Sequence, residues 1–272
     1  MTAALDFSGS EALLRDTAKG LLLKPLLENF IGQAKDLTFP GVPKRAFGDR
    51  PYDGLFHPST HPLWPDRALF AYLTNPELVK REPMDYGRRM SVTVGTALHG
   101  FCQWCLQKAG VLPAKLQRCT ICPPEDRCRE PGFVDDLTGA KTHADGVLAL
   151  PGRYGQDLFE LKTAAENTWA GHKRLLGLED LDNEAFAQIW PDYWIQAIDV
   201  QRISGKRRTI LLILVLGFPW TIKEFHIEWD PVLGEALQEK YLRVRAAARA
   251  GRAPACACDR LKRATCPGKR FC

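Results

Sequence analysis

The sequence has no long apolar run: the longest, Ile210 to Leu216, is far too short to span a bilayer. It opens Met1-Thr2-Ala3-Ala4-Leu5-Asp6, without a basic start and apolar stretch, so no secretory leader is expected and a cytoplasmic location is. Internal repeats and low-complexity tracts are missing too, which sets aside repeat architectures and biased polar segments. Cysteine is absent before Cys102, yet nine cysteines follow, at 102, 105, 119, 122, 128, 256, 258, 266 and 272. An odd number in a chain expected to be cytosolic favours metal binding over disulfides. The rest is ordinary for a globular protein: 272 residues, 45% hydrophobic and 25% charged, are enough to bury a sizeable core.

Within this background, His143-Ala144-Asp145-Gly146-Val147-Leu148 and Phe159-Glu160-Leu161-Lys162-Thr163 both read as strands. The turn Pro151-Gly152-Arg153-Tyr154 predicts an antiparallel hairpin centred between Gly152 and Arg153, with Asp145 opposite Glu160. Alternation then puts Glu160 and Lys162 on the face of Asp145 and turns Leu161 into the core. Carboxylate oxygens of Asp145 and Glu160, with the Leu161 carbonyl, suit Mg2+ or Mn2+ with positions left open for a phosphate and a water. Lys162 is placed to orient that water and offset charge developing on phosphorus. The alternative is a surface hairpin carrying ordinary solvated charges.

Upstream, Gly95-Thr96-Ala97-Leu98-His99-Gly100-Phe101 opens a segment predicted helical to about Ala109. Taken with it, the G-x-x-x-H, D-G-V-L and E-L-K-T motifs resemble the RecB-type branch of the PD-(D/E)xK nuclease superfamily, particularly its CRISPR-associated and phage-encoded exonucleases. The resemblance implies that His99 is a metal ligand, that Asp145 and Glu160 are the metal carboxylates, and that Lys162 is the catalytic lysine. It implies a DNA exonuclease acting on single-stranded or frayed DNA in replication, recombination or repair. Relatives carry a following helix with a glutamine, often Q-x-x-x-Y, that contacts DNA. Gln196 matches it; position 200 is Val, and Tyr193, one helical turn before Gln196, is the candidate substitute.

A coarse reading gives a helical part around 10–33, an irregular connection over 40–65, and helices near 66–73 and 92–109. The hairpin comes next, followed by a helix near 183–204, strands at 209–216 and 221–229, and a helix over 231–250. The fold class is therefore α/β, and the order α, β, β, α, β is that of the restriction-endonuclease-like core which the resemblance implies. The expected division is a helical extension and linker over 1–55, a nuclease domain over 56–250 with a cysteine-containing insertion at 112–135, and a cysteine-rich basic tail over 251–272.

From Arg243 to Cys272 nine basic residues face Asp259 alone, while the whole chain is only +5, so the tail carries the net basicity. With Lys206-Arg207-Arg208 it offers cations for a phosphate backbone, although a solvated helix face reads equally well for the tail alone. Cys256, Cys258, Cys266 and Cys272 supply four thiolates within 17 residues, a set for an iron-sulfur cluster or zinc. In the family a 4Fe-4S cluster joins C-terminal cysteines to one near the start of the nuclease domain; here that N-terminal cysteine is absent. A cluster on the four tail cysteines is favoured over zinc, with Cys102 or Cys105 as a substitute ligand. Spacing of three on the His99 helix also fits Cys102 and Cys105 as small core residues.

Cys119-Thr120-Ile121-Cys122 with Cys128 forms a second metal half-site, whose fourth ligand would come from His57, His61, Cys102 or Cys105. Its C-x-x-C-x5-C spacing is one the family uses at its C-terminus, so these three could hold the cluster and leave the tail to zinc. Phe56-His57-Pro58-Ser59, followed by Arg67, resembles phage-type members, with Ser59 and Arg67 as phosphate contacts at a helix start. The competing reading for the whole chain is a catalytically weak DNA-binding adaptor. Protein partners left open are a second copy of the chain or a replication or recombination protein.

Overall fold

The computed structural model describes residues 20, 22–33, 52–78, 86–123, 128, 130–165, 177–216 and 220–256. In these the order is α1 (Lys24–Gln33), α2 (Asp66–Thr74), α3 (Tyr86–Lys108), β1 (Gly132–Asp135), β2 (Ala140–His143), β3 (Gly146–Leu150) and β4 (Arg153–Ala165). There follow α4 (Asn183–Ile189), α5 (Pro191–Ser204), β5 (Arg208–Leu216), β6 (Thr221–Glu228) and α6 (Pro231–Arg249). The main sheet runs β3-β4-β5-β6, with β4 and β5 parallel and the outer pairs antiparallel; β1 and β2 form a separate ribbon. A parallel pair needs a crossover long enough to return the chain, and α4 and α5 lie in the one between β4 and β5.

The apolar run that is too short for a membrane is β5, covered on both faces. Its alternation divides the core. Ile210, Leu212 and Leu214 pack with Leu161 and with Cys102, Cys105 and Leu106 of α3. Leu211, Ile213 and Val215 pack with Phe186 of α4 and Ala197 and Ile198 of α5. Leu23, just before α1, and Leu26 and Leu27 within it join the α3 side, so this part of the expected N-terminal extension is built into the core. Its start is tied to β6, where buried Glu224 accepts hydrogen bonds from the amides of Leu22, Leu23 and Lys24 at 2.7, 2.9 and 2.7 Å.

Four expectations are corrected. The helix expected over 183–204 is two helices, because Pro191 starts α5 and its ring and missing N–H cannot continue α4. The strand read from His143 to Leu148 is interrupted at Ala144 and Asp145: His143 ends β2, which pairs with β1, and β3 starts at Gly146. The hairpin is centred one residue earlier than expected, with Leu150 opposite Arg153 across Pro151-Gly152. A bulge between Val147 and Ala149 then shifts the pairing so that Gly146 faces Phe159, which restores the register expected next to Asp145. Gly155, at φ +70°, supplies the left-handed backbone in the bulged part of β4. The β1–β2 ribbon had no counterpart in the sequence reading, and the last correction, a metal ligand, belongs to the site.

No helix among the described residues is long and apolar enough to cross a membrane. The part of the expected first helix before residue 20 lies outside the described residues, as do Cys258, Cys266 and Cys272.

Candidate active site

Helix α3 reaches the sheet through Gly95, where a Cβ would stand 3.1 Å from Thr163 Oγ1 of β4. One turn later His99 follows on the same face, its Nδ1 3.3 Å from Asp145 Oδ2. A further turn on, Gln103 Nε2 donates to the Asp145 backbone carbonyl at 2.8 Å. The glycine of G-x-x-x-H thus sits at a close approach: a Cβ at 95 would meet Thr163 Oγ1 tightly enough that the neighbour must give by a few tenths of an ångström. Gln103 was missed in the sequence; its signal was a polar residue four places after His99 on a core-facing helix.

The amide of Leu161 donates to Asp145 Oδ2 at 2.7 Å, which binds the carboxylate to β4 between Glu160 and Lys162. Lys162 Nζ lies 2.5 Å from Glu160 Oε1, and Gln196 Nε2 of α5 donates to the same oxygen at 3.3 Å. Lys162 also lies over the Tyr193 ring, 5.3 Å from its centroid. His99, Asp145, Glu160 and Lys162 are therefore brought together, with Gln196 and Tyr193 closing the α5 side of a small cavity. Their side chains are 26, 14, 13 and 18% exposed, low enough for charges to interact strongly yet open to a ligand.

The carboxylates are driven apart electrostatically. Burial pushes the Asp145 carboxyl up, but His99, Lys162 and the Leu161 amide outweigh it and hold it below the usual carboxylate range. For Glu160, burial and then the charge of Asp145 raise the carboxyl, and Lys162 and His99 only partly offset them. Burial opposes charge on Lys162 and His99, but Glu160 and Asp145 hold Lys162 above its ordinary value, and Asp145 chiefly holds His99 above its own. The charge of Asp145 raises the cost of ionising Glu160, and together they form a hard-oxygen donor set that a divalent cation would suit.

The cysteines divide differently. Cys102 and Cys105 sit in the core, and burial pushes both thiols up to about 12. Cys119, Cys122 and Cys128 converge on His143, with all four donor atoms within 4.8 Å of one another. His143 Nε2 is 3.3 Å from Cys119 Sγ and 3.1 Å from Cys122 Sγ. This group could hold a metal ion, and it corrects the expected fourth ligand. His57 and His61 instead belong to an aromatic cluster with Phe56, Trp64 and Tyr72, while Cys102 and Cys105 are committed to packing. No spacing rule pointed to His143, because its partners lie on a loop 15 or more residues upstream.

Of the other sequence candidates, Arg67 Nη1 donates to the carbonyl of Pro254 at 2.9 Å, anchoring the chain just before the tail cysteines. Ser59 is exposed in a turn. Cys256 is the one tail cysteine within the described residues.

No protein-family model matches this sequence, and no curated protein matches it. Among solved structures the chain is similar to an alkaline exonuclease, LHK-Exo, from Laribacter hongkongensis, at 16% identity and TM-score 0.46, over 73% of this chain and 89% of that one. The same exonuclease in complex with dAMP gives 16% identity and TM-score 0.43 over the same shares. A further similar structure, SSO0001, gives 13% identity and TM-score 0.41 over 92% of this chain and 93% of that one.

Proposed function

We propose that this chain is a metal-dependent deoxyribonuclease of the PD-(D/E)xK type, acting as an exonuclease on single-stranded or frayed DNA in replication, recombination or repair. The observation that carries the reading is the convergence of Asp145, Glu160 and Lys162 through the Asp145–Leu161 hydrogen bond, with His99 delivered by α3. Asp145, Glu160 and His99, with the Leu161 carbonyl, would hold Mg2+ or Mn2+. The bound ion supplies Lewis-acid polarisation of a phosphodiester and a more acidic water.

The chain's own groups do the rest. Lys162 donates toward the attacking water or the phosphate oxygens, and its positive charge offsets the negative charge that grows there. The Tyr193 ring under Lys162 and the carboxylate of Glu160 restrict where its ammonium points. Gln196 orients Glu160 and lines the small cavity beside Lys162; contact with DNA is its proposed role. A second thiolate site on Cys256, Cys258, Cys266 and Cys272, for a 4Fe-4S cluster or zinc, completes the reading; four thiolates in a short basic tail support it.

The test is degradation of end-labelled DNA with Mg2+ or Mn2+ and its abolition by EDTA. Asp145→Ala, Glu160→Ala and Lys162→Ala should each lose roughly a hundredfold or more in rate, as when a transition-state contact is removed. Full activity in Glu160→Ala overturns the assignment, and DNA binding without hydrolysis by the intact chain favours the adaptor.

A further inference from the structure

We infer that Cys119, Cys122, Cys128 and His143 form a closed structural zinc site whose ion sets the path of the strand that delivers Asp145. The zinc assignment stands by itself; its consequence for Asp145 rests on the nuclease reading above.

Three sulfurs and one imidazole nitrogen, all within 4.8 Å of one another, are the donor number, type and spacing of one tetrahedral zinc ion. With zinc–sulfur bonds of about 2.3 Å, tetrahedral sulfurs stand about 3.8 Å apart, a separation this group permits. A four-iron cluster places each ligand on a different iron and needs its donors spread more widely. Four protein ligands leave no open position, so this ion has a structural role.

The surrounding backbone is shaped for such a knuckle. A Cβ at Gly132 would stand 2.4 Å from Ile121 Cγ1 and 3.2 Å from Cys119 Sγ, so only glycine lets the cysteine loop lie this close to β1. Thr120 Oγ1 donates to the Gly132 carbonyl at 3.3 Å. Gly132 is in turn the partner of His143 across the β1–β2 ribbon. The ribbon is held at its far end, where Phe56 pairs with Ala140 and Arg202 with Asp135; a metal ion on the cysteine loop would tie the end at Gly132 and His143.

That tie reaches the candidate active site within two residues. His143 ends β2, Ala144 is buried with its amide on the Pro131 carbonyl at 3.1 Å, and Asp145 follows. Gln103 and the Leu161 amide hold Asp145 on its far side. The zinc ligand and the carboxylate are thus two ends of one short span, and loss of the ion frees the end at His143. His143 acts here as a positioning residue.

The experiment uses the full chain. Elemental analysis of the purified protein should show zinc, and His143→Ala and Cys122→Ser should each lose one zinc per chain, leaving any iron unchanged. Unchanged zinc, or loss of iron in its place, overturns the site. Should the variants not fold, Co2+-loaded wild-type protein provides the second reading: tetrahedral thiolate-bound cobalt gives intense visible bands, and their absence overturns the assignment. The positioning role is read by titrating Mn2+ and following the free ion by electron paramagnetic resonance. His143→Ala should bind Mn2+ roughly tenfold or more weakly, in line with the loss seen when support around metal ligands is removed. Zinc loss with unchanged Mn2+ affinity overturns the coupling. A wild-type chain that holds zinc but hydrolyses no DNA overturns the nuclease reading and leaves the zinc site standing.

Discussion

Replacing Glu224 tests whether α1 is a docked element of the core or a loosely attached extension. Its side chain is fully buried, and it accepts from three successive amides at the start of α1 and lies 2.7 Å from His226 Nε2. A hydrogen bond to a charged acceptor is worth about 1.5–3 kcal/mol, but three that share one carboxylate do not add. In Glu224→Ala the Leu23 amide is left buried, whereas those of Leu22 and Lys24 are partly accessible to water. The expected loss is therefore about 3 kcal/mol. Glu224→Gln keeps the shape but turns an NH2 group toward the donors, and should lose about 2 kcal/mol.

Against this stands the burial of Leu23, Leu26 and Leu27, about 2 kcal/mol each or about 6 kcal/mol together. Burial wins, so α1 stays docked in both variants while global stability falls. Urea unfolding followed by tryptophan fluorescence measures the loss, and limited proteolysis under native conditions tests the docking. A change under about 0.5 kcal/mol in Glu224→Ala, smaller than one net hydrogen bond, would refute the reasoning. So would rapid cleavage within α1.

Three further outcomes are expected. Asp157 is fully buried between Arg153 and Arg208; burial pushes its carboxyl up, but the hydrogen bonds from both guanidiniums outweigh this and lower it. A lowered folded value gives stability present above the ordinary carboxylate range and lost as pH falls through the folded value. Asp157→Asn should thus cost about 3 kcal/mol near pH 7, discounted little for the half-exposed Arg153, with the gap to wild type closing in acid unfolding curves. Tyr193→Phe, which keeps the ring under Lys162, should retain nuclease activity, whereas Tyr193→Leu should lose about three- to thirtyfold, the range of a cation–ring contact. Cys105→Ser should lower stability by about 1–3 kcal/mol by burying a hydroxyl and leave metal content unchanged, because this thiol belongs to the core.

What the sequence disclosed and what it hid follow from the range of the interactions. The pairing that brings Asp145 to Glu160 is local, so strand alternation and one turn placed these residues near each other; the turn itself lies one residue earlier, and a bulge that no sequence signal disclosed restores the expected register. Gly95 and His99 share a helix face and could be read together for the same reason. The β1–β2 ribbon escaped because four-residue strands of mixed polarity carry too short a pattern to count. His143 escaped with it: its partners come from a loop, and nothing in the spacing of a loop tells where it folds back. Gln103 is an intermediate case, on the right face but recognisable only once the helix was seen against Asp145.

The bulge in the β3–β4 hairpin separates two tasks that a regular hairpin would combine. In an unbroken ladder the turn sets the register of every pair below it, and one inserted residue at the tip would send Glu160 and Lys162 to the opposite face. Here Leu150–Arg153 is set by the turn and Gly146–Phe159 by the bulge and the core beneath it. The exposed tip at Pro151 and Gly152 is thereby insulated from the carboxylates. A label or an inserted peptide at this tip is expected to leave Asp145 beside Glu160 and Lys162.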